Sequence, residues 1–164
     1  MKIRPLAPDT QAKAAALLHH AFAPSTYEVR LFDALHANGR QMVEWVCLHR
    51  DAVIAYIGFT RAYRGQQAIG LHLGPLAVQP RVQGQGIGSE LLRFALRQER
   101  IKGQPIFALG CPRFFRAFGF VPCTEPLCPL TRDTGQFLVL GNTSADRYTV
   151  GYEPEFTTVK KRQR

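Results

Sequence analysis

No stretch of this 164-residue chain reaches the roughly 18 consecutive apolar residues that a membrane-spanning helix needs. The opening "MKIRPLAPDT" has no apolar signal core, so no secretion leader is expected. The cysteines are few: Cys47, Cys111, Cys123 and Cys128. They form no C-x-x-C pair, and no histidine follows Cys123 and Cys128 at zinc-finger spacing. Neither a disulfide framework nor a metal site is therefore expected. These absences favour a cytoplasmic protein with free thiols. Acidic residues are also scarce, 12 against 21 Lys plus Arg, which leaves a net charge of +9. That balance suits an anionic ligand or partner without naming one. It also admits a basic nucleic-acid-associated protein, although no zinc-finger or RRM-like signature supports a nucleic-acid partner.

What is present reads as one domain. Hydrophobic residues make up 46% of the chain, an ordinary globular share, and there are no internal repeats, linkers or low-complexity segments. "MKIRPLA" reads as a first strand. Asp9 is placed to cap a helix whose Ala14, Leu17, Leu18 and Phe22 recur at helical spacing. Pro24 ends it. Ser25 or Thr26 then opens a second helix, "YEVRLFDALHA", closed at Asn38-Gly39. "MVEWVCLHR" and "VIAYIGFTRAY" read as strands joined at Arg50-Asp51, and "AIGLHLGPLAV" as a strand that bulges or stops pairing at Gly74-Pro75. A helix is expected from Ser89 to Lys102. "PIFALG" follows as a buried strand and "PRFFRAF" as a short helix. "FVPC", "QFLVLG" and "RYTVGY" are the last strand candidates. The expected class is α/β (α+β): a mixed sheet with helices on its faces, spanning residues 1–156, with 157–164 a basic C-terminal tail.

The stretch "VQPRVQGQGIGSELL", Val78 to Leu92, joins a strand to a helix through alternate glycines. The first amides of a helix lack internal partners, the helix dipole adds positive charge there, and glycine lets backbone approach an oxyanion. Such a loop is built to hold phosphate. It is not the G-x-G-x-x-G dinucleotide loop, because glycines fall at 84, 86 and 88 only. It is not a Walker loop either, because the lysine is absent. Read by itself, the loop also fits a plain tight strand-to-helix turn.

Gln83-x-x-Gly86-x-Gly88 resembles the Q/R-x-x-G-x-G/A loop of the GNAT N-acetyltransferase superfamily. "LGPLAVQP" resembles that family's acetyl-CoA strand, "PRFFRAFGF" its later helix and strand, and "VGYEPEF" the end of some small bacterial members. The resemblance covers nearly the whole chain. It implies a mostly antiparallel central sheet, splayed at the acetyl-CoA strand, with acetyl-CoA as co-substrate. It places backbone groups of Leu76, Ala77 and Val78 against the pantetheine arm. It places the amides of Gln83, Gly84, Gln85, Gly86, Ile87, Gly88 and Ser89 around the pyrophosphate, and Phe115 and Arg116 beside the CoA arm. The implied activity is acetyl transfer to a primary amine of a small molecule or peptide by direct attack. Members are often dimers, so a homodimer is the assembly to test.

Transfer to an amine needs a base, an oxyanion donor and a way for the thiolate to leave. His72 is the first candidate base. It lies four residues before Leu76, where some members carry a glutamate, and imidazole ordinarily titrates near 6.5. The bland alternative is a histidine bonded within the sheet. Glu28, in the second helix beside the implied acceptor site, is the other candidate, against an ordinary surface charge. His19 and His20, adjacent on a helix, are given no role. The sequence departs from the family at Phe115, where the usual general acid is a tyrosine. Cys111, water, or departure of an unprotonated thiolate are the alternatives. This departure keeps open a non-catalytic CoA or acyl-CoA sensor.

Overall fold

The computed structural model describes residues 1–131, 134–141 and 144–162. Seven strands form one sheet in the order β1-β2-β3-β4-β5-β7-β6. They are β1 (Lys2–Pro5), β2 (Val43–His49), β3 (Ala52–Arg64), β4 (Gln67–Val78), β5 (Ile106–Leu109), β6 (Val121–Pro122) and β7 (Phe137–Leu140). Every neighbouring pair is antiparallel except β4 with β5. Five helices complete the fold: α1 (Pro8–Ala21), α2 (Tyr27–Ala37), α3 (Ile87–Leu96), α4 (Pro112–Arg116) and α5 (Glu155–Arg162). This is the mixed, mostly antiparallel sheet expected from the sequence, with helices on both faces.

Strand alternation assigns the two faces. Trp45 and Cys47 of β2 pack with Ile57 and Phe59 of β3 and with Leu91, Leu92 and Ala95 of α3. Val46 and Tyr56, each one residue off that set in its strand, face the other way, onto Ala14, Leu17 and Leu18 of α1 and Phe32 of α2. The turn at Arg50-Asp51 takes positive φ at both residues (50° and 65°), the geometry that closes a two-residue hairpin.

One buried polar network crosses the α1/α2 face. The Tyr56 hydroxyl donates to Glu44 at 2.6 Å, and the other Glu44 oxygen meets His36 Nε2 of α2 at 3.0 Å. His36 Nδ1 lies 2.7 Å from the Phe32 carbonyl. Gly58, two residues along β3, leaves the room that the Tyr56 hydroxyl fills: a Cβ there would collide with it. The network ties α2 to the sheet through a side chain with no exposure at all, Tyr56.

Four local expectations change. Ala7, not Asp9, is the α1 N-cap, because Pro8 suits the first helical position. Thr10 Oγ1 accepts from the Ala7 amide at 3.1 Å, while Asp9 pairs with Arg4. The helix expected at 89–102 begins at Ile87 and ends at Leu96. Bonding there tightens from four residues back to three, as in Arg97 N to Phe94 O, and this turns the chain so that Ile101 is fully buried. "RYTVGY" forms isolated bridges (Tyr63 with Gly151, Leu127 with Thr149) rather than a strand. Residues 155–162, within and beside the expected tail, form α5, and residues 163–164 lie outside the described residues.

The His36 contacts give a sign to pH. Burial pulls its pKa down, but the Glu44 carboxylate and the Phe32 carbonyl outweigh that and raise it above 6.5. A raised histidine stabilises the fold fully below its unfolded pKa and loses that contribution as pH rises through the folded value. Thermal midpoints measured from about pH 6 to about pH 8.5 should therefore show a steeper alkaline decline for the wild type than for His36→Gln. Parallel curves for the two would mean that the His36 charge carries no stability.

Candidate active site

The site is created by one extra residue in β4. Ile57 pairs with Leu76 and Phe59 with Leu73, so two steps along β3 match three along β4, and the bulge falls at Gly74-Pro75. Gly74 sits at φ +152°, a conformation open to glycine. The bulge reverses which backbone groups face which neighbour. Before it, the Leu71 amide points at β5 and bonds the Pro105 carbonyl at 2.8 Å; after it, the Gln79 amide points at β3 and bonds Ile54 at 2.8 Å. By alternation, the amides of Leu76 and Val78 face away from β3.

Nothing in the sheet receives them. β4 and β5 pair only over Leu71–Leu73 against Ile106–Ala108 and then separate. The resulting wedge opens into a cavity of about 440 Å³, with Gly74, Pro75 and Leu76 on one wall and Leu109, Gly110 and Cys111 on the other.

The loop expected to hold phosphate lies at the far end of that open edge. Gly84 and Gly86 take φ +79° and +83°, and Gly86 is the N-cap of α3. The first amide of α3 bonded to its own helix is that of Glu90, to Gly86 at 3.0 Å; the amides of Gly84 to Ser89 precede it. Gly88 serves packing: a Cβ there would sit 3.3 Å from Val78 Cγ2. Gln83 Nε2 donates to the Val78 carbonyl at 2.9 Å, which fastens the loop to the end of β4. Leu76–Val78 and residues 83–89 thus stand on one stretch of chain, joined by Gln79 and the tight turn Pro80–Val82 and tied by the Gln83–Val78 bond. Ala77 turns its side chain into the α1/α2 core.

The cavity also gathers Glu28 and Tyr27 of α2, His72 of β4, Phe115 of α4 and Phe156 of α5. Glu28 accepts from Ser25 Oγ at 2.8 Å, and Ser25 Oγ in turn accepts from the Tyr27 amide at 3.3 Å. The Tyr27 hydroxyl donates to the Phe156 carbonyl at 2.8 Å; burial, then the nearby Glu28 charge, push its pKa up to about 12. Phe115 is 7% exposed and packs against Phe114 and Phe120, whereas Arg116 is exposed. Cys111 is exposed at the start of α4 and lines the same space. No cluster of metal-ligating side chains occurs among the described residues.

His72 does not keep an ordinary imidazole's chemistry. It is 5% exposed, stacked on Tyr152 at 3.8 Å between ring centres and met edge-on by Phe156 at 4.7 Å. Its Nδ1 is buried with no hydrogen-bond partner. Burial pushes its pKa down to about 3, so the ring stays neutral at physiological pH. The expectation of a group titrating near neutrality thus gives way to desolvation.

Sequence reasoning missed Tyr27, Tyr152 and Phe156 as parts of this site. Tyr27 had a signal, since it adjoins Glu28 on the helix expected beside the acceptor. Tyr152 and Phe156 lie in "VGYEPEF", but the helix that carries Phe156 into the cavity was not expected.

Residues 41–122, half the chain, match the family model described as an acetyltransferase (GNAT) domain. The chain belongs to the GNAT acetyltransferase family. The matched span contains β4, the glycine loop, α3 and α4, the elements that build the wedge. YjhQ of Escherichia coli (strain K12), described as an uncharacterized N-acetyltransferase, is 33% identical over 90 residues, 52% of this chain and 50% of YjhQ. The chain thus matches about half the length of that relative. Among solved structures, the GNAT family N-acetyltransferase YhbS of Escherichia coli, in complex with CoA, superposes with a TM-score of 0.86 at 24% identity, covering 95% of this chain and 91% of YhbS. A GNAT family acetyltransferase from Brucella melitensis, in complex with acetyl-CoA, gives a TM-score of 0.78 at 28% identity over 94% of this chain and 97% of its own. No helix among the described residues of this GNAT protein is long and apolar enough to cross a membrane.

The left-handed Gly86 supplies a test of the loop itself. Gly86→Ala forces a Cβ into that conformation and should cost about 1–2 kcal/mol, read from the urea midpoint. An unchanged midpoint would show that the loop does not need its glycine conformation.

Proposed function

We propose that this GNAT protein is an acetyl-CoA-dependent N-acetyltransferase acting on a primary amine. The observation that carries the reading is the continuity of the open β4 edge with the unpaired amides at the α3 N-terminus. Three features of the chain fit acetyl-CoA. The amides of Leu76 and Val78 offer an extended arm the hydrogen bonds of an added strand. The amides from Gly84 to Ser89, with the α3 dipole, offer a pyrophosphate its donors. The net charge of +9 favours an anionic ligand. Phe115, at the mouth of the wedge, gives the arm an apolar wall, with Arg116 exposed beside it.

Acetyl-CoA supplies an activated acyl thioester. The chain's own residues do the rest. Glu28 receives the amine as its ammonium and takes the proton that frees the lone pair for attack. The Leu76 amide, preset by the bulge, donates to the acyl oxygen as negative charge develops there. His72 stays neutral and packs the floor under the acceptor, so the general base is assigned to Glu28 and not to His72. Phe115 offers no proton, so the departing sulfur takes one from the Cys111 thiol that lines the wedge or from solvent, or leaves as the thiolate.

A second reading, a CoA-binding sensor without turnover, rests on Phe115 standing where the family's tyrosine is usual.

Thermal shift with acetyl-CoA, CoA, NAD and ATP at matched concentration tests the binding. A ligand at 100 times its Kd adds about 2.7 kcal/mol, or roughly 5–10 °C for a domain of this size. A shift with the two CoA species alone is expected, and none with either would undo the reading. Turnover with any amine removes the sensor. Glu28→Gln should lower kcat by about 100-fold, the usual range for a lost general base, with the acetyl-CoA Kd unchanged. An undiminished kcat would move the base elsewhere.

A further inference from the structure

The acceptor end of the cavity has a definite chemistry. Phe22, Leu31, Phe114, Leu130 and Phe156 line the same cavity as Glu28. Glu28 is the one carboxylate among the described lining residues, and no lysine or arginine is among them. The remaining titratable side chains are neutral at physiological pH where the structure fixes their state: His72 is pushed down to about 3, and Tyr27 up to about 12 and bonded to Phe156.

From this lining we infer that the acceptor is an apolar monoamine, of the arylalkylamine type. It carries one ammonium and an aromatic or branched hydrocarbon body. This rests on the acetyltransferase reading and narrows its acceptor.

The argument is a balance of charges. One carboxylate pairs with one ammonium. A second ammonium, as on a polyamine or an aminosugar, would be left without a partner against phenyl rings, and an unpaired buried charge is strongly unfavourable. The +9 charge of the chain opposes a polycation further. An amino acid fails for the opposite reason, because its carboxylate would face Glu28 with no cation among the described lining residues to answer it. The hydrocarbon body is favoured positively. Rings of Phe22, Phe114 and Phe156 offer edge and face contacts to an aryl group. The cavity is shared with the end of the cofactor arm, so the body has to be small.

The test is a panel of 2-phenylethylamine, n-hexylamine, putrescine, spermidine, a polycationic aminosugar and L-phenylalanine, scored as kcat/KM with acetyl-CoA on the full chain. 2-Phenylethylamine should exceed spermidine, the aminosugar and L-phenylalanine by about 100-fold or more, the discrimination expected when one buried charge lacks its partner. Leu130 is only partly buried. Leu130→Glu adds a second carboxylate there and should raise the putrescine-to-phenylethylamine ratio by about tenfold.

If acetyl-CoA binds but a polyamine, an aminosugar or an amino acid is preferred, the inference is overturned while acetyl transfer stands. If acetyl-CoA does not bind, the acetyltransferase reading falls and takes this one with it. Calorimetry of 2-phenylethylamine on the CoA-saturated protein covers the case of no turnover. Saturable binding there upholds the pocket's preference and overturns the transfer. No binding overturns the inference.

Discussion

The site depends on a single extra residue in one strand. Without the bulge at Gly74-Pro75, β4 would keep one parity along its length, and the amides of Leu76 and Val78 would point at β3. With it, the strand serves two purposes in sequence. Its first half closes the sheet against β5, and its second half keeps a row of polar backbone groups unspent. An exposed strand edge is usually a liability. Here it lies within a wedge whose other wall is the end of β5, and whose far end is fastened by Gln83 to the loop that opens α3. The parity change also moves the side chains: Leu71 and Leu73 precede the bulge on the α3 face, and Leu76 and Val78 follow it on that same face.

The wall of the cavity formed by α2 and α5 is a second construction, assembled from distant parts of the chain. α2 is held to the sheet from below by the Tyr56–Glu44–His36 network, and together with the turn that follows it holds α5 from above. Arg40 bonds Glu155 at 2.8 Å, Tyr27 bonds the Phe156 carbonyl at 2.8 Å, and Arg30 reaches the Val159 carbonyl at 3.3 Å. Glu155 is 4% exposed, so the Arg40 contact answers a charge that would otherwise be costly to bury. Phe156 faces the cavity because these ties set the helix that bears it. Glu28 and Phe156, which line one cavity, are thus both positioned through α2.

Much of this was legible in the sequence where the cause is local. Alternate glycines between a strand and an amphipathic helix announce the turn that opens α3, with Gly84 and Gly86 left-handed. Gly74-Pro75 announces the break in β4, and the bounds of α2 follow from Pro24 and Asn38-Gly39. What was not legible depends on distant neighbours. The end of α3 is set by Ile101 dropping into the core. α5 has a polar, threonine- and lysine-containing sequence whose helix is supported by partners on α2. His72 reads as an ordinary imidazole until Tyr152 and Phe156, some 80 residues later in the chain, close over it. Tertiary burial set its chemistry, and no local pattern carries that information.

Gly58 and Tyr56 have a consequence for how this protein can change over generations. The Tyr56 hydroxyl occupies the volume where a side chain at 58 would stand. A methyl at 58 therefore requires Tyr56 to shift or lose its hydroxyl, and that loss takes the donor from Glu44 Oε2 while Oε1 keeps His36. The two positions are coupled, and the intermediate bears the cost. The coupling is steric and lies outside the cavity lining, so it constrains these two positions whatever the wedge holds.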